Sequence, residues 1–363
     1  MKETYFITGG TGFIGRRLAF KLVEAGKRVV CLARPTSNRA PLAALGVSFI
    51  DGDLSDLEAL RRGIDGADAV FHLAGLTRET RSGDFQKVNC AGSVNVASAC
   101  ADLGGKRLVA VSSLAGAGTA LREPKSVPAG EEAYAPYRLR RETDLPRPLS
   151  PYGRSKFAAE NELLLFADRA AISVARPPYV FGEGDMASLK LFQMVKKGGR
   201  ITLPGYRDQF YSFVYVDDLV DALIAIEERG ERLTPTSLAP LEPDSNGFRG
   251  TCSGAGVYFV CSASPIKFST FGKLIGAAYG RSRVSAIRVP PLGVLGAGVY
   301  GEIYKRVRGK IPPFDLNKAI EAVRGPWICS GAKAAAQLGL DFGSELDGKI
   351  ARAAKWYERE GLL

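Results

Sequence analysis

The sequence predicts an α/β fold in which a doubly wound parallel sheet is followed by a smaller C-terminal cap. Two observations lead to this prediction. Apolar runs typical of buried strands alternate with helical patterns over the first half of the chain. The first strand also leads through a glycine-rich turn directly into a helix. After about residue 180 the alternation gives way to short helices and links rich in proline and glycine, which indicates a second unit.

The first half supplies the strands of the expected sheet. They are expected at residues 4–8, 28–33, 47–50, 69–73, 107–112 and 172–176. Helical patterns connect them near residues 14–25, 55–64, 85–103 and 152–168. Parallel strands are buried on both faces, so they read as continuous apolar runs such as Val29-Val30-Cys31-Leu32-Ala33. In the second half, residues 211–214 and 257–260 are expected as isolated strands.

The glycine-rich turn after the first strand carries the first functional prediction. Gly9 or Gly10 would form the tight turn, Gly12 would let the backbone approach a pyrophosphate, and Gly15 would let the helix pack against the strand. The helix N-terminus would then face the phosphates. This pattern predicts a Rossmann-type, dinucleotide-binding sheet rather than a merely flexible turn. The candidate cofactor-binding residues here are Gly9, Gly10, Thr11, Gly12, Phe13, Ile14 and Gly15.

These features predict how the chain is divided into domains. We expect a dinucleotide-binding Rossmann domain over residues 1–180, with returning segments near 211–228 and 257–262, and a mainly substrate-binding domain over 181–363. Two segments resist a regular assignment. The proline-rich segment 115–150 is expected as a substrate-side loop, and segment 230–256, rich in Pro, Ser and Gly, as a variable surface excursion.

The end of the second strand bears on the type of nicotinamide cofactor. An acidic residue there would hydrogen-bond the ribose of NAD, whereas an arginine would accept the 2′-phosphate of NADP. Residues 25–50 contain no Asp or Glu, and Arg34 and Arg39 follow the strand. This charge pattern predicts a preference for NADP(H). The alternative is that Arg34 only stacks on adenine and NAD is bound through Asp53.

The strongest candidate for chemistry is the pair Tyr152 and Lys156. Residues four apart share a face of a helix, and this pair lies at the start of a long helical pattern. The Lys156 ammonium is expected to lower the pKa of the Tyr152 phenol, so that it can exchange protons with a substrate oxygen. Ser112 and Ser113 follow the fifth strand, where ligands of such sheets bind, and one hydroxyl could hold the substrate oxygen. The alternatives are a surface helix pair and a serine that only caps the next turn.

Composition and charge exclude several classes. The 363 residues are 46% apolar and 24% charged, as in ordinary globular proteins. The net charge of +11 is spread without a run of five or six basic residues, which favours a solvated surface or an acidic ligand over nucleic acid. The six cysteines form no C-x-x-C pair and no signal segment opens the chain, so we expect reduced thiols in the cytoplasm.

Metal chemistry and hydrolysis are disfavoured because His72 is the only histidine. We expect it to pack at the end of a strand.

The apolar stretch 289–300 is only twelve residues long and contains prolines and glycines, short of the roughly 17 to 25 residues that span a bilayer. We expect a packed helix of the second domain there, with a peripheral membrane contact as the alternative.

With these residues the chain resembles, over nearly its whole length, the extended short-chain dehydrogenase/reductase family, often labelled NAD-dependent epimerase/dehydratase. Besides Tyr152 and Lys156, the matching segments are 8–15, 52–54, 72–75, 88–89, 111–113, 176–182 and 215–218. The resemblance implies that Ser113, Tyr152 and Lys156 are catalytic. It places Asp53 and Leu54 at the adenine, Ala74 and Gly75 along the ribose and pyrophosphate, and Pro177 and Tyr179 near the nicotinamide. The remaining cofactor-binding candidates are Leu73, Asn89 and Ser112. It also implies a homodimer formed through the helices at 85–103 and 152–168.

Two details refine the resemblance. The serine segment is similar to that of the hydroxysteroid-dehydrogenase-like and dihydroflavonol-reductase-like branches, in which the second serine acts, so Ser113 is preferred to Ser112. Dehydratases of the family carry an Asp-Glu pair where this chain has Leu114-Ala115, which cannot perform proton chemistry. The usual Val-Tyr-Gly after the serine is also missing, which weakens the case for a nucleotide-sugar epimerase.

The main functional expectation is an NADP(H)-preferring oxidoreductase that moves a hydride between nicotinamide and a secondary alcohol or ketone. A substrate of sterol-like or flavonoid-like bulk would suit an apolar cap around residues 290–300. The alternative is a nucleotide-sugar epimerase with tightly bound NAD, in which Arg207 could meet the diphosphate. A sensor that reads NADP(H) without turnover is less favoured, because such family members commonly lack the Tyr and Lys present here.

Overall fold

The computed structural model describes residues 2–79, 81–123, 127–239, 251–310, 312, 314–342 and 345–363. Its strands are β1 (Thr4–Thr8), β2 (Arg28–Ala33), β3 (Ser48–Asp51), β4 (Ala69–His72), β5 (Arg107–Val111), β6 (Leu121–Arg122), β7 (Tyr137–Arg138), β8 (Ala171–Arg176), β9 (Tyr179–Phe181), β10 (Arg200–Pro204), β11 (Phe210–Tyr211), β12 (Phe213–Tyr215), β13 (Val257–Phe259), β14 (Ile266–Lys267) and β15 (Ser285–Val289).

Helices flank these strands along the whole chain. They are α1 (Phe13–Glu24), α2 (Ala40–Ala43), α3 (Leu57–Asp65), α4 (Gly92–Asp102), α5 (Leu114–Ala117), α6 (Pro151–Leu164), α7 (Leu189–Gly198), α8 (Val216–Arg229), α9 (Phe268–Ala278), α10 (Pro291–Arg308), α11 (Leu316–Val323), α12 (Ala332–Leu338) and α13 (Leu346–Arg359). A π-helix at Gln86–Ala91 leads into α4, and a 3₁₀ turn lies at Glu132–Tyr134.

Seven parallel strands form the central sheet in the order β13-β8-β5-β4-β1-β2-β3. The fold is therefore the Rossmann-type doubly wound sheet that the alternating pattern predicts. The chain reverses its direction of winding between β1 and β4, and the carboxyl ends of strands at such a point form the crevice where ligands bind. The loops after β1, β4 and β5 all open onto this edge.

Apolar side chains cover both faces of the sheet, which explains the continuous apolar runs of its strands. One face packs against α1 and α8 through residues such as Leu18, Phe71 and Leu223. The other packs against α3 and α4 through residues such as Phe6 and Leu60.

A third apolar cluster forms the centre of the second unit, which we call the cap. Aromatic rings dominate it, with Phe213 and Phe271 stacked 4.2 Å apart between centroids and Phe192 4.8 Å from Tyr357. The cap is tied to the sheet domain by the ion pair of Lys349 with Asp218, 2.8 Å long and largely shielded from solvent. The boundary that the sequence predicts at residue 180 remains a proposal.

Several sequence expectations need correction. The expected strand at 211–214 is two strands, because β11 pairs with β14 whereas β12 pairs with β9, and the buried Ser212 lies between them. Segment 115–150 contains α5 and the β6–β7 hairpin, although residues 124–126 lie outside the described residues. Segment 230–256 is not simply a surface excursion, because Leu233 and Cys252 are buried; residues 240–250 lie outside the described residues.

The six cysteines are free and buried. Within the described part of the chain, no helix is both long enough and apolar enough to cross a membrane.

Candidate active site

The glycine-rich turn has the shape expected of a phosphate-binding loop. Gly9 has a φ of 76°, and a Cβ there would lie 2.6 Å from the Ala74 nitrogen, so Gly9 rather than Gly10 makes the turn against the loop after β4. A Cβ on Gly15 would lie 2.2 Å from the Gly9 oxygen, which confirms that this position allows the close packing of α1. The loop geometry therefore follows from the glycines at these positions.

This loop fits the pyrophosphate of a dinucleotide. Gly12 precedes α1 and provides no side-chain cap, and the first turn of the helix carries no acidic residue. A Cβ on Gly12 would meet only the Gly9 oxygen, at 3.2 Å, among the described atoms. Free N–H groups at a helix N-terminus beside open space are a ready anion site. Thr11, Phe13 and Ile14 lie in the same loop and first turn.

Beyond β2, the structure separates the two predicted arginines. Arg34 is exposed, and its charge helps to lower the pKa of Asp53. Arg39 instead donates to the Ala33 oxygen at 2.7 Å and forms an ion pair with Asp51. Asp51 lies opposite Ala33 in the parallel register of β2 and β3. The acid-free window of residues 25–50 ends one residue before Asp51, a carboxylate at the strand end that only the register of the sheet brings to this point.

Asp53 and Leu54 lie in the loop after β3. The Asp53 carboxylate accepts from the Ser55 nitrogen at 2.8 Å and from the Ser55 hydroxyl at 2.6 Å. These hydrogen bonds are the main reason why its pKa is lowered. Leu54 packs against Gly92 of α4, where a Cβ would lie 2.6 Å from the Leu54 Cδ1. Both residues are held in place by the chain itself, which leaves their proposed contact with adenine to be tested.

The loop after β4 is fastened from beneath by a buried polar network. Thr8 Oγ1 is 2.7 Å from His72 Nδ1, and His72 Nε2 is 3.0 Å from Ser93 Oγ. Burial, together with the charge of Lys156, lowers the pKa of His72 to about 3. His72 is therefore a neutral structural residue, and the backbone of Leu73, Ala74 and Gly75 follows it along the edge of the sheet.

Asn89 is fully buried, and its side-chain amide forms hydrogen bonds within the protein. It accepts from the Leu76 nitrogen at 2.7 Å and donates to the Leu76 oxygen and to Ser155 Oγ, both at 3.0 Å. With both amide protons used in this way, its side chain cannot donate to a cofactor. Asn89 fixes the loop after β4 to α6, and its predicted contact with the cofactor remains a proposal.

At the end of β5 the two serines have different surroundings. Ser112 Oγ is buried with no hydrogen-bond partner among the described atoms. Ser113 has extended backbone and caps α5, its Oγ accepting from the Ala115 nitrogen at 3.1 Å. The same hydroxyl lies close enough to the Tyr152 phenol to lower its pKa. Ser113 therefore caps α5 and also lies close to Tyr152, and its predicted role of holding the substrate oxygen remains a proposal.

Tyr152 reaches Ser113 because α5 and α6 pack unusually closely. Ser150 caps α6 by accepting from the Gly153 nitrogen at 2.9 Å, and Pro151 occupies the first helical position. A Cβ on Gly153 would lie 2.4 Å from the Ala115 oxygen, so only glycine allows this approach. The Tyr152 side chain packs against Leu114 and Ala115.

The pKa of Tyr152 is not lowered as the sequence analysis expected. Burial raises it to about 12, the Ser113 hydrogen bond lowers it, and the nearby charge of Glu321 raises it. Lys156 donates to the Val111 oxygen at 3.0 Å, and its Nζ would be 3.2 Å from a Cβ on Gly75. Burial lowers the pKa of Lys156 to about 8. The lysine therefore lies between the ends of β4 and β5 and keeps most of its charge at neutral pH.

Two further side chains beside Tyr152 were missed by sequence reasoning. Glu321 of α11 accepts from the Ser150 hydroxyl at 2.6 Å, and burial raises its own pKa. The Phe85 ring centroid is 5.7 Å from that of Tyr152. Ser150-Pro151 is a readable start signal for a helix, but no local pattern connects Tyr152 with a glutamate so distant in the sequence.

Pro177 and Tyr179 follow β8. The Pro177 oxygen accepts from the Leu114 nitrogen at 2.9 Å and so fixes the start of α5. The Tyr179 hydroxyl is 2.9 Å from Ser188 Oγ, and its ring packs 5.3 Å from that of Phe213 in the cap. Tyr179 is therefore engaged by the cap, and its predicted place near the nicotinamide remains a proposal.

Together these residues form an edge with the uncapped N-terminus of α1, which could hold an anion, at one end and the Tyr152 phenol, which could transfer a proton, at the other. A partly buried phenol with a pKa of about 12 is protonated at neutral pH and can donate to an oxygen. Ser113 provides a second hydrogen-bonding group at the same point, and Lys156 provides a fixed positive charge between the strand ends.

Comparison with known proteins identifies the family. The family model described as NAD dependent epimerase/dehydratase family matches residues 5–237. Ceramide reductase of Caulobacter vibrioides (strain NA1000 / CB15N) is 29% identical over 357 residues, covering 98% of this chain and 95% of that protein. The 2-alkyl-3-oxoalkanoate reductase of Stenotrophomonas maltophilia (strain K279a) is 30% identical over 281 residues, covering 77% and 76%. UDP-glucose 4-epimerase of Streptomyces lividans is 29% identical over 256 residues, covering 63% and 73%.

Solved structures share the fold. The structure of gox2253 aligns with a TM-score of 0.71 and 21% identity over the whole of both chains. The structure of MoeE5 in complex with UDP-glucuronic acid and NAD aligns with a TM-score of 0.68 and 23% identity, covering 98% of this chain and 99% of that one. The family match and the named reductases and epimerases agree with the geometry of the site. The chain belongs to the NAD-dependent epimerase/dehydratase family of extended short-chain dehydrogenases/reductases and is an NAD(P)-dependent enzyme.

Proposed function

We propose that the protein is an NADP(H)-preferring ketoreductase that moves a hydride between nicotinamide and a secondary alcohol or ketone. The observation that carries this proposal is the Tyr152 phenol, protonated at neutral pH and close to Ser113 at the end of β5, where Lys156 donates to the Val111 oxygen. A carbonyl group accepts a proton on its oxygen as it is reduced, and a phenol with a raised pKa holds that proton ready at neutral pH.

Each catalytic candidate has a defined task in this proposal. The bound nicotinamide supplies the hydride. Ser113 hydrogen-bonds the carbonyl oxygen and holds it against Tyr152, which donates its proton to that oxygen. Lys156, held by the Val111 oxygen, presents a positive charge next to Gly75, where it can hold a ribose hydroxyl and stabilise the phenolate left on Tyr152. Ser112, Pro177 and Leu73 support the same edge through their backbone positions.

The substrate class follows from the surroundings of Tyr152. Its side chain belongs to a cluster with Leu114, Tyr211 and Trp327, and Phe85 lies beside it. These neighbours suit an apolar ketone rather than a sugar. Two relatives named above, a ceramide reductase and a 2-alkyl-3-oxoalkanoate reductase, carry names of reductases acting on molecules with alkyl chains. We therefore propose a ketone with a long alkyl chain, in place of the sterol-like or flavonoid-like bulk expected from the sequence.

The preference for NADP(H) rests on Arg34. Arg39 is already neutralised by Asp51, so Arg34 is the exposed cation that follows β2. Replacing Arg34 with alanine should raise the KM for NADPH roughly tenfold, the value of one charge-assisted hydrogen bond, and change the KM for NADH much less. Arg28→Ala is the matched control, because Arg28 is exposed at the opposite end of β2. Equal effects of Arg34→Ala on both cofactors would contradict this assignment.

The net reaction is tested by following cofactor and product together. Purified protein is incubated with NADPH and a long-chain β-keto substrate, and separately with NAD and UDP-glucose. We expect one NADPH to be oxidised for each ketone reduced. Protein that is purified with bound NAD and interconverts UDP-sugars without net cofactor consumption would instead establish the nucleotide-sugar epimerase. The family resemblance also leads us to propose a homodimer through α4 and α6.

A further inference from the structure

The outer face of α10 carries a continuous apolar stripe. Leu292, Val299, Tyr300, Ile303 and Val307 are exposed, with exposed fractions of 82% for Leu292 and 74% for Val307. Their spacing places them along one face of an α-helix. The opposite face is buried, because a Cβ on Gly298 would lie 2.5 Å from the Ala319 Cβ of α11. The helix packs on α11 through this buried face, as predicted for residues 289–300, and the exposed stripe lies on the other side.

Basic residues flank the stripe along the sequence. Residues 281–310 contain Arg281, Arg283, Arg288, Lys305, Arg306, Arg308 and Lys310, but only one acid, Glu302. Glu302 lies 2.9 Å from Lys305, the one buried member of this set at the C-terminal end of the helix. Arg306, Arg308, Lys310 and Arg288 are exposed. An apolar stripe flanked by cations is the pattern by which helices lie in the headgroup region of anionic bilayers.

We infer that the outer face of α10 docks on the surface of an anionic lipid bilayer. The apolar side chains would enter the boundary between headgroups and acyl chains, and the flanking arginines and lysines would meet lipid phosphates. Tyr300, exposed at the centre of the stripe, has the amphipathic side chain that is enriched at this depth. Because the positive charges lie beside the apolar stripe, a bilayer fits this face better than a second copy of the same basic chain.

The outer face of α10 is connected to the candidate active site through α11. The inner face of α10 packs on α11, and α11 carries Glu321, which hydrogen-bonds to Ser150 at the start of α6. Arg78, in the loop region after β4, donates to the Pro312 oxygen at 3.3 Å in the α10–α11 connection. Docking would hold these elements close to the bilayer that contains the substrate. This last step rests on the proposed reduction of a long-chain ketone, whereas bilayer docking stands independently of it.

Vesicle flotation tests the docking directly. The probes are vesicles of phosphatidylcholine alone and of phosphatidylcholine with roughly a third phosphatidylglycerol. We expect the protein to float only with the anionic vesicles, and less at high salt, since screening weakens the attraction. Leu292→Glu should weaken binding roughly tenfold or more by placing a charge in the stripe.

Leu57→Glu is the matched control, because Leu57 is also an exposed leucine in the first turn of a helix, where a carboxylate is tolerated. Equal flotation of Leu292→Glu and the unmodified protein, or no flotation of either, would overturn the proposal. Concentration-dependent self-association that Leu292→Glu abolishes, without binding to vesicles, would identify a second copy as the occupant and equally overturn it.

Two activity measurements separate docking from catalysis. Leu292→Glu should reduce a water-soluble short-chain ketone at the normal rate but lose turnover of a long-chain ketone embedded in anionic vesicles. Tyr152→Phe should float normally and lose both activities. Flotation without any ketone reduction would support docking and refute the proposed function. Ketone reduction without flotation would support the proposed function and refute docking.

Discussion

At the scale of single residues, the protonation state of Tyr152 decides whether the site favours ketone reduction or alcohol oxidation at a given pH. The sequence suggests a phenol made acidic by Lys156. In the structure burial dominates instead, and it raises the pKa to about 12. A protonated phenol can donate a proton to the oxygen of a ketone that is being reduced, whereas alcohol oxidation requires the phenolate as the proton acceptor. The account therefore predicts a site prepared for reduction at neutral pH.

Glu321 should control the pH dependence of the reverse reaction. Its carboxylate raises the pKa of Tyr152, so Glu321→Gln should lower that pKa and extend alcohol oxidation to lower pH. We expect kcat/KM on the acidic side of the profile to increase roughly twofold. The glutamine oxygen can still accept the hydrogen bond from Ser150, so the cap of α6 is preserved.

Glu162→Gln is the matched control for this experiment. It removes one negative charge from α6 itself, but ten residues along the helix from Tyr152, a distance of about 15 Å. The measurement is kcat/KM for alcohol oxidation across pH for all three proteins. A Glu321→Gln profile that coincides with the unmodified one would show that this carboxylate does not act on Tyr152.

Which site residues could be predicted depends on how local their signal is. Tyr152, Lys156 and Ser113 occur in short motifs, each tied to one strand end or helix start. Asp51 and Glu321 were missed for a physical reason, because they reach the site through sheet register and helix packing. Asn89 was found by its motif, but its indirect role follows only from the Leu76 and Ser155 contacts.

At the scale of elements, the close approach of α5 to α6 positions the catalytic candidates. Gly153→Ala would place a methyl group 2.4 Å from the Ala115 oxygen, so the helices would have to separate. We expect a loss of about 1–3 kcal/mol in the free energy of unfolding, the usual range for overpacking. Denaturant unfolding measures it.

Gly116→Ala, on the other side of the same contact, is the comparison. A Cβ there would meet its nearest neighbours at 3.4–3.5 Å, an ordinary contact distance. We expect its free energy of unfolding to change by less than about 1 kcal/mol. Equal losses for both variants would mean that the helices are not held at the separation described.

The elements themselves were largely readable from the sequence. Strands of the sheet differ from prediction by one residue at most at either end, because their apolar runs are continuous. The π-helix at Gln86–Ala91 was not readable, since it shares the helical pattern of α4. Residues 211–214 have the pattern of one strand. In the structure the buried Ser212, whose hydroxyl accepts a hydrogen bond from the Cys329 nitrogen, separates two strands with different partners.

At the scale of the whole molecule, cofactor binding should appear as thermal stability. A ligand that binds only the folded chain adds about 2.7 kcal/mol at a hundredfold excess over its Kd. Gly12→Ala should lose no more than about 1 kcal/mol of stability in the absence of cofactor, because the added Cβ meets only the Gly9 oxygen, at a tight 3.2 Å. It should lose most of the increase in Tm that NADPH produces, because the methyl group occupies the phosphate-binding space.

Gly66→Ala controls for the substitution itself, since Gly66 ends α3 with no described atom within 4 Å of a Cβ. It should keep the full increase in Tm with NADPH. Thermal melts of the three proteins with and without cofactor provide the test. A full NADPH effect in Gly12→Ala would place the phosphates elsewhere.

The two units of the molecule differed in how well the sequence predicted them. The Rossmann-type sheet follows from alternation and one glycine motif, both of which are local. The cap combines short strands with helices from distant parts of the chain, such as α9 and α13, and its aromatic core has no periodic signature. The outward direction of the α10 stripe could not be predicted either, because the side of the helix that faces α11 depends on tertiary packing.

The central claim is that Tyr152 transfers the proton to the substrate. The most direct measurement is single-turnover ketone reduction by Tyr152→Phe with NADPH already bound, beside Tyr211→Phe, which removes a neighbouring phenol from the same cluster. The account predicts NADPH affinity within about twofold of normal for both variants. It also predicts hydride transfer at least about a hundredfold slower in Tyr152→Phe alone. Hydride transfer at the normal rate in Tyr152→Phe would contradict it.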